Sequence, residues 1–160
     1  MKKRSKYRPR EIVFDTMAYI KQGDLPATAA KTVILRERTA FHGSMDLLVK
    51  GKGTKEEVIV LGHMLTTATS LAKHAIGRDW LPELTQACKE LAALAARGGN
   101  FTMKASEITA LNLALEIHDA QLDGCTVKQL EDAIHAAMRA IRCGHEVADK
   151  TINHNQKELA

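Results

Sequence analysis

Seven histidines, three cysteines and nineteen carboxylates give this 160-residue chain groups capable of acid–base, thiol or metal chemistry, and their spacing decides what they can do together. His118 and Asp119 are adjacent. On a helix, sequence neighbours point about 100° apart, so these two do not form a catalytic dyad by themselves. His118 falls between Leu115 and Leu122 on an apolar stripe, with Glu116, Asp119 and Asp123 on neighbouring faces. That placement suits either a base or ligand flanked by carboxylates, or a buried histidine hydrogen-bonded to a partner helix. Glu131 and His135 are one turn apart, but two ligands do not make a metal site. His63 and His74 lie three turns apart, about 16 Å, too far to share one ion. Cys88, Cys125 and Cys143 are odd in number and form no C-x-x-C, so they read as reduced thiols acting as small apolar residues. No Walker loop, G-x-G-x-x-G, H-E-x-x-H or G-x-S-x-G occurs. The expectation is a protein that is not an enzyme and that uses no metal and no cofactor.

The other chemistry-bearing group is basic. Lys2, Lys3, Arg4, Lys6, Arg8 and Arg10 stand in the first ten residues with no acid among them, a charge of +6. The remaining 150 residues carry 17 basic and 19 acidic side chains. The net charge of +4 is therefore a basic arm attached to a mildly acidic body. Such an arm attracts phosphates by Coulomb forces and counterion release. Arginine adds bidentate contacts, and Tyr7 can stack on a base or sugar. The same charges also suit a solvated tail, or an acidic protein or membrane surface.

Behind the arm, the composition is that of one folded domain. The chain is 45% hydrophobic and contains only ten Gly and three Pro, which excludes a disordered chain. The most apolar stretch, Val58 to Ala72, is too short and too rich in Thr, Ser and His to span a membrane. The basic start has no apolar segment behind it fit for a secretory signal, so the expected location is the cytoplasm. Six aromatic residues are too few for a base-stacking sheet of the RNA-recognition or OB type.

Helical periodicity runs through the rest. Ile12-Val13-Phe14 is an apolar anchor, and a short turn covers Thr16 to Gln22. Asp24 is a good N-cap with Pro26 in the first turn. A helix from there to about Lys50 places Ile34, Phe41, Met45 and Leu48 on one face. Thr54-Lys-Glu-Glu57 is a capping box that opens a helix with the stripe Val58, Leu61, Leu65, Ala68, Ala72 and Ala75. A second stripe, Val60, Met64 and Leu71, marks that helix as central. Asp79 and Pro82 start the next helix, which carries Leu81, Leu84, Cys88, Leu91 and Ala95 and is stopped by Gly98-Gly99. A further helix spans about Ala105 to Leu122, with Ile108, Leu111, Leu115, His118 and Leu122 on one face. Thr126-Val-Lys-Gln129 is a second capping box. It opens a last helix carrying Leu130, Ile134, Ala137, Ile141, Ala148 and Ile152, long enough to offer a homodimer surface at its end. The predicted fold is all-α: a basic arm, residues 1–10, ahead of a single helical domain, residues 11–160, built as a bundle of about five main helices.

The corner at Ala120, Gly124, Cys125, Thr126, Leu130 and Ala133 partly matches a helix–turn–helix. Asp119 and Asp123 occupy positions that are normally apolar there, and Glu131 and Asp132 would repel phosphates. A capped turn between packed helices accounts for the same residues.

Two segments carry a family resemblance. Lys3-Arg-Ser-Lys-Tyr-Arg-Pro-Arg10 is one. Ala110-Leu-Asn-Leu-Ala-Leu-Glu-Ile-His-Asp-Ala-Gln-Leu122, followed by Thr126-Val127, is the other. Together they resemble a group of short proteins encoded in phages and prophages of proteobacteria. Between Leu25 and Gly99 only the helical pattern is shared. The resemblance implies a phage accessory context: host takeover, defence evasion or gene regulation. It carries over no catalytic residue, but it marks His118, Asp119 and Gln121 as part of a shared polar contact, at the surface or buried. The function expected is that of a small phage-type regulatory or accessory protein that associates with nucleic acid through Lys2, Lys3, Arg4, Lys6, Tyr7, Arg8 and Arg10. The alternative is an inhibitor or adaptor that binds a host or phage protein without touching nucleic acid.

Overall fold

The computed structural model describes residues 23–99 and 101–158, with side chains through residue 142. Among these residues the chain is all-α. Its five helices are α1 (Lys31–Val49), α2 (Lys55–Lys73), α3 (Leu81–Arg97), α4 (Ala105–Gly124) and α5 (Val127–Glu158). Single 3-10 turns precede α1, at Ala27–Ala29, and α3, at Arg78–Trp80. No described helix is long and apolar enough to cross a membrane.

The start of α1 departs from the sequence expectation. Pro26 is extended, with φ −54° and ψ 141°, and the helix begins five residues later. Tertiary pairing outweighs the local cap here. The Ala27 N–H donates to the Cys125 carbonyl at 2.8 Å and the Val127 N–H to the Leu25 carbonyl at 2.9 Å, an antiparallel bridge that an earlier helix start would break.

Helix α2 starts as expected. The Thr54 hydroxyl accepts from the Glu56 N–H at 3.2 Å, and Glu57 reaches back to the Thr54 N–H at 2.6 Å. It ends earlier than its apolar stripe suggests. Ala75 is exposed and left-handed, φ 71°, and two bonds close the end: Ile76 N–H to the Leu71 carbonyl and Ala75 N–H to the Ala72 carbonyl. The end of α1 has the same pattern with Gly51, φ 66°, at the equivalent place. Asp79 lies in the 3-10 turn and does not cap α3; Pro82 sits in the first turn without needing an N–H. The Thr126–Gln129 box forms, with Thr126 N–H to Gln129 Oε1 at 2.8 Å and Gln129 N–H to Thr126 Oγ1 at 3.3 Å.

The main core joins α1, α2, α3 and α4 around fully buried Leu48, Leu61, Met64, Leu65, Leu84, Leu94 and Leu111. At Gly53, a Cβ would overlap the Leu48 side chain and come within 3.0 Å of its Cα, so only glycine allows the α1–α2 loop to cross this core. A smaller cluster of Ala27, Ile34, Leu71, Leu122, Cys125, Leu130 and Ala133 ties the start of α5 to the bundle. Leu130 groups with Leu71 near the end of α2, while Ile141 shares a groove with Val60 near its start, so α5 runs antiparallel to α2. It continues unbroken through Gly144. At 1.5 Å per residue, α5 is about 48 Å long and α2 about 28 Å, so roughly the last three turns of α5 pass beyond α2.

Candidate functional site

The segment that the resemblance singled out is divided by the structure. His118 and Gln121 are buried, 2% and 3% exposed, whereas Asp119 lies at the surface between α1 and α4. On α4 the buried set comprises Glu107, Leu111, Ala114, Leu115, Ile117, His118, Gln121 and Leu122. This face is wider than one stripe and reflects neighbours on several sides.

Gln121 joins α4 to the end of α2. Its Nε2 donates to the Ile76 carbonyl at 2.8 Å and to the Ala68 carbonyl at 3.0 Å. Its Oε1 is 3.5 Å from His118 Nδ1, and the His118 ring meets the Phe41 ring at 5.6 Å between centroids. Burial pushes His118 down to about 4, so the imidazole is neutral at pH 7. A neutral, enclosed imidazole beside a carboxamide fixes packing, and this pair serves as an internal contact.

Asp119 acquires partners that its sequence neighbours do not supply. Arg38 Nε is 3.1 Å from Asp119 Oδ1, and His42 Nε2 is 2.9 Å from Asp119 Oδ2. Arg38 also donates to Asp123 Oδ1 at 2.8 Å and to the Asp119 carbonyl at 2.9 Å. The hydrogen bond to Asp123 and the two carboxylates raise the already high pKa of Arg38. The signal was present in sequence as two opposite-charge pairs at helical spacing, Arg38/His42 and Asp119/Asp123, but their pairing requires α1 to lie against α4.

A second ion pair was not anticipated. Glu107, 1% exposed, takes a two-pronged contact from Arg97, with Nη2 to Oε2 at 2.8 Å, and also accepts from the Lys104 N–H at 2.7 Å. The hydrogen bonds from Arg97 hold the Glu107 carboxyl below the usual range. Arg97 Nη2 also donates to the Thr102 carbonyl at 3.0 Å, which fastens the α3–α4 loop. An acid in register with Leu111, Ala114 and His118 on one helix face was the available clue.

Cys88 and Cys125 are free thiols whose burial raises their pKa, away from reactive thiolates. Among the described residues no group of three His, Cys, Asp or Glu is placed to hold a metal ion. The corner between α4 and α5 is not a helix–turn–helix. Gly124 remains in α4 without a left-handed turn, and α5 packs mainly on α2, meeting α4 only around Leu122.

Concave surfaces among the described residues include a small one of about 320 Å³ beside Cys88 and Ala136 and two larger ones. A hollow of about 430 Å³ lies between the α2–α3 loop and α4, bordered by Trp80, 48% exposed, and Leu113. A groove of about 650 Å³ lies where α1 and α5 both rest on α2, walled by Ala40, Val60, Ile134, Ala137, Met138 and Ile141. The nucleic-acid candidates Lys2, Lys3, Arg4, Lys6, Tyr7, Arg8 and Arg10 lie outside the described residues, as do Ile12-Val13-Phe14 and the Thr16–Gln22 turn. The described chain starts at Gly23, whose Cα faces the Lys128 side chain in the first turn of α5. Residues 23–158 contain sixteen basic and seventeen acidic side chains, so the body is close to neutral. Comparison of the chain with protein-family models, with curated proteins and with solved structures finds no match.

Proposed function

We propose that this chain is a small nucleic-acid-associated regulatory protein of phage type, in which the basic arm grips phosphates and the helical bundle is the body that carries it. The partition of charge supports this reading. Six basic residues stand in the first ten, ahead of a nearly neutral body in which Arg38 and Arg97 are already paired with Asp119, Asp123 and Glu107. Phosphate attraction would therefore reside in the arm. The test is duplex and single-strand binding by fluorescence anisotropy across a salt series, with the full chain and with the arm charges replaced by Gln. Engagement of all six charges on duplex DNA gives a slope of about −5 in log affinity against log salt. No binding at low salt overturns the reading. Binding unaffected by the arm replacements transfers it to the bundle.

A second reading, an adaptor that binds protein, draws on the hollow beside Trp80. A half-exposed Trp next to Leu113 on an apolar concavity has the composition of an interface anchor. Trp80→Ala that abolishes capture of a partner while leaving nucleic-acid binding intact would favour it. Self-association would use the turns of α5 that pass beyond α2.

A further inference from the structure

The groove between α1 and α5, about 650 Å³, is an apolar surface that the described bundle leaves uncovered. Met138 on its α5 wall is 55% exposed, and Val33, one turn ahead of Glu37 on α1, is 52% exposed. Its charges are mainly of one sign. Arg36 of α1, Arg142 of α5 and His63 of α2 line it, and Glu37 is its one acid. Among the described residues neither Arg36 nor Arg142 makes an ion pair. An occupant should therefore be apolar and carry acids.

We propose that this groove seats the stretch Ile12–Ile20 of its own chain, with Glu11 and Asp15 directed to the Arg36 and Arg142 borders. Three observations select this occupant. Seven of the nine residues from Ile12 to Ile20 are apolar, and Glu11 and Asp15 are the only acids before Gly23, four apart. The chain enters the bundle beside the first turn of α5, the helix that forms one wall of the groove. Gly23 faces Lys128, and Leu25 is bonded to Val127, two turns ahead of Ile134 on the same helix. The length also matches. The eleven residues from Gly23 back to Ile12 span about 16 Å if helical and up to about 36 Å if extended, and Lys128 to Arg142 spans about 21 Å along α5. Seating this stretch would complete the bundle and place the basic arm at its edge, whether or not the arm meets nucleic acid.

The test is hydrogen–deuterium exchange on the full chain, without nucleic acid and with residues 1–10 intact, so that failure of the nucleic-acid reading does not affect it. Amides of Ile12–Ile20 should exchange at least tenfold more slowly than in an unstructured chain. Met138→Glu should remove that protection while amides of Leu111–Leu115 in α4 keep theirs. If Met138→Glu also loosens α4, the surface change Arg142→Glu decides: weakened protection of Ile12–Ile20, restored by Glu11→Lys, supports the seating, and unchanged protection overturns it. Wild-type exchange at the unstructured rate overturns it as well. Protection that appears only at concentrations where the protein sediments as a dimer places the stretch in a second copy and overturns the intrachain assignment.

Discussion

Gln121 on α4 donates a 2.8 Å hydrogen bond to the carbonyl of Ile76, 45 residues earlier, and thereby clamps the turn that ends α2. The same amide reaches the Ala68 carbonyl one side away and His118 on the other. Gln121→Leu keeps the volume and removes the donor, leaving the Ile76 carbonyl without this partner. The expected loss is about 1–3 kcal/mol, the range for an unmatched buried polar group. Urea unfolding checks it, and a variant as stable as wild type would show that the clamp contributes nothing.

The turn held by Gln121 contains a residue of the wrong type for its backbone. Ala75 sits at φ 71°, where the equivalent position after α1 has Gly51. An alanine pays roughly 1–2 kcal/mol there. Glycine relieves that cost but loosens the unfolded chain by about 0.4–1 kcal/mol. Ala75→Gly should therefore stabilise the protein by roughly 0.5–1 kcal/mol, seen as a higher Tm, whereas Gly51→Ala should lower it.

His118 imposes a pH dependence. Its folded pKa, pushed by burial to about 4, lies below the ordinary value of 6.5. Above pH 6.5 both folded and unfolded states hold it neutral, and its contribution is fully present. As pH falls from 6.5 to about 4 the unfolded chain takes up a proton that the folded protein refuses, so stability declines by up to about 3 kcal/mol. Denaturant melts of wild type and His118→Gln should diverge in slope across that window. Parallel curves would exclude His118 as the source.

Glu107 acts at lower pH. Its folded pKa is depressed by the Arg97 hydrogen bonds, so its contribution is present above its ordinary value of 4.5 and is lost as pH falls through the folded value. Glu107→Gln at pH 7 should cost about 1–3 kcal/mol, because the charge-assisted contacts to the Arg97 guanidinium and the Lys104 N–H weaken together. Exchange of the α3–α4 loop amides should accelerate with it.

Asp119→Asn should have a small effect. The Asp119 contacts with Arg38 and His42 are partly open to water, so the expected loss is about 0.5–1 kcal/mol and shrinks with added salt. A loss that does not respond to salt would point to packing instead of charge.

Local chemistry in the sequence accounts for much of the architecture. Thr54 with Glu57 and Thr126 with Gln129 set two helix starts, because a cap is a bond between residues three apart and needs no distant partner. Ile34, Phe41, Met45, Leu48, Leu61, Leu65, Leu84 and Leu91 are buried where their spacing put them, since helical period dictates which side chains share a face. Glu107 was legible only as an acid on an apolar face, without its partner.

What tertiary structure decided lies wherever a bond spans distant segments. The start of α1 moved from Asp24 to Lys31 because the Leu25–Ala27 backbone pairs with Cys125 and Val127. His118, Asp119 and Gln121 are close in sequence, yet two face the interior and one faces α1, because α4 is covered on more than one side. Periodicity places residues on a face of one helix; it does not say which helix that face meets. The partners of Asp119, the clamp of Gln121 on Ile76 and the groove between α1 and α5 therefore exist only once the helices pack.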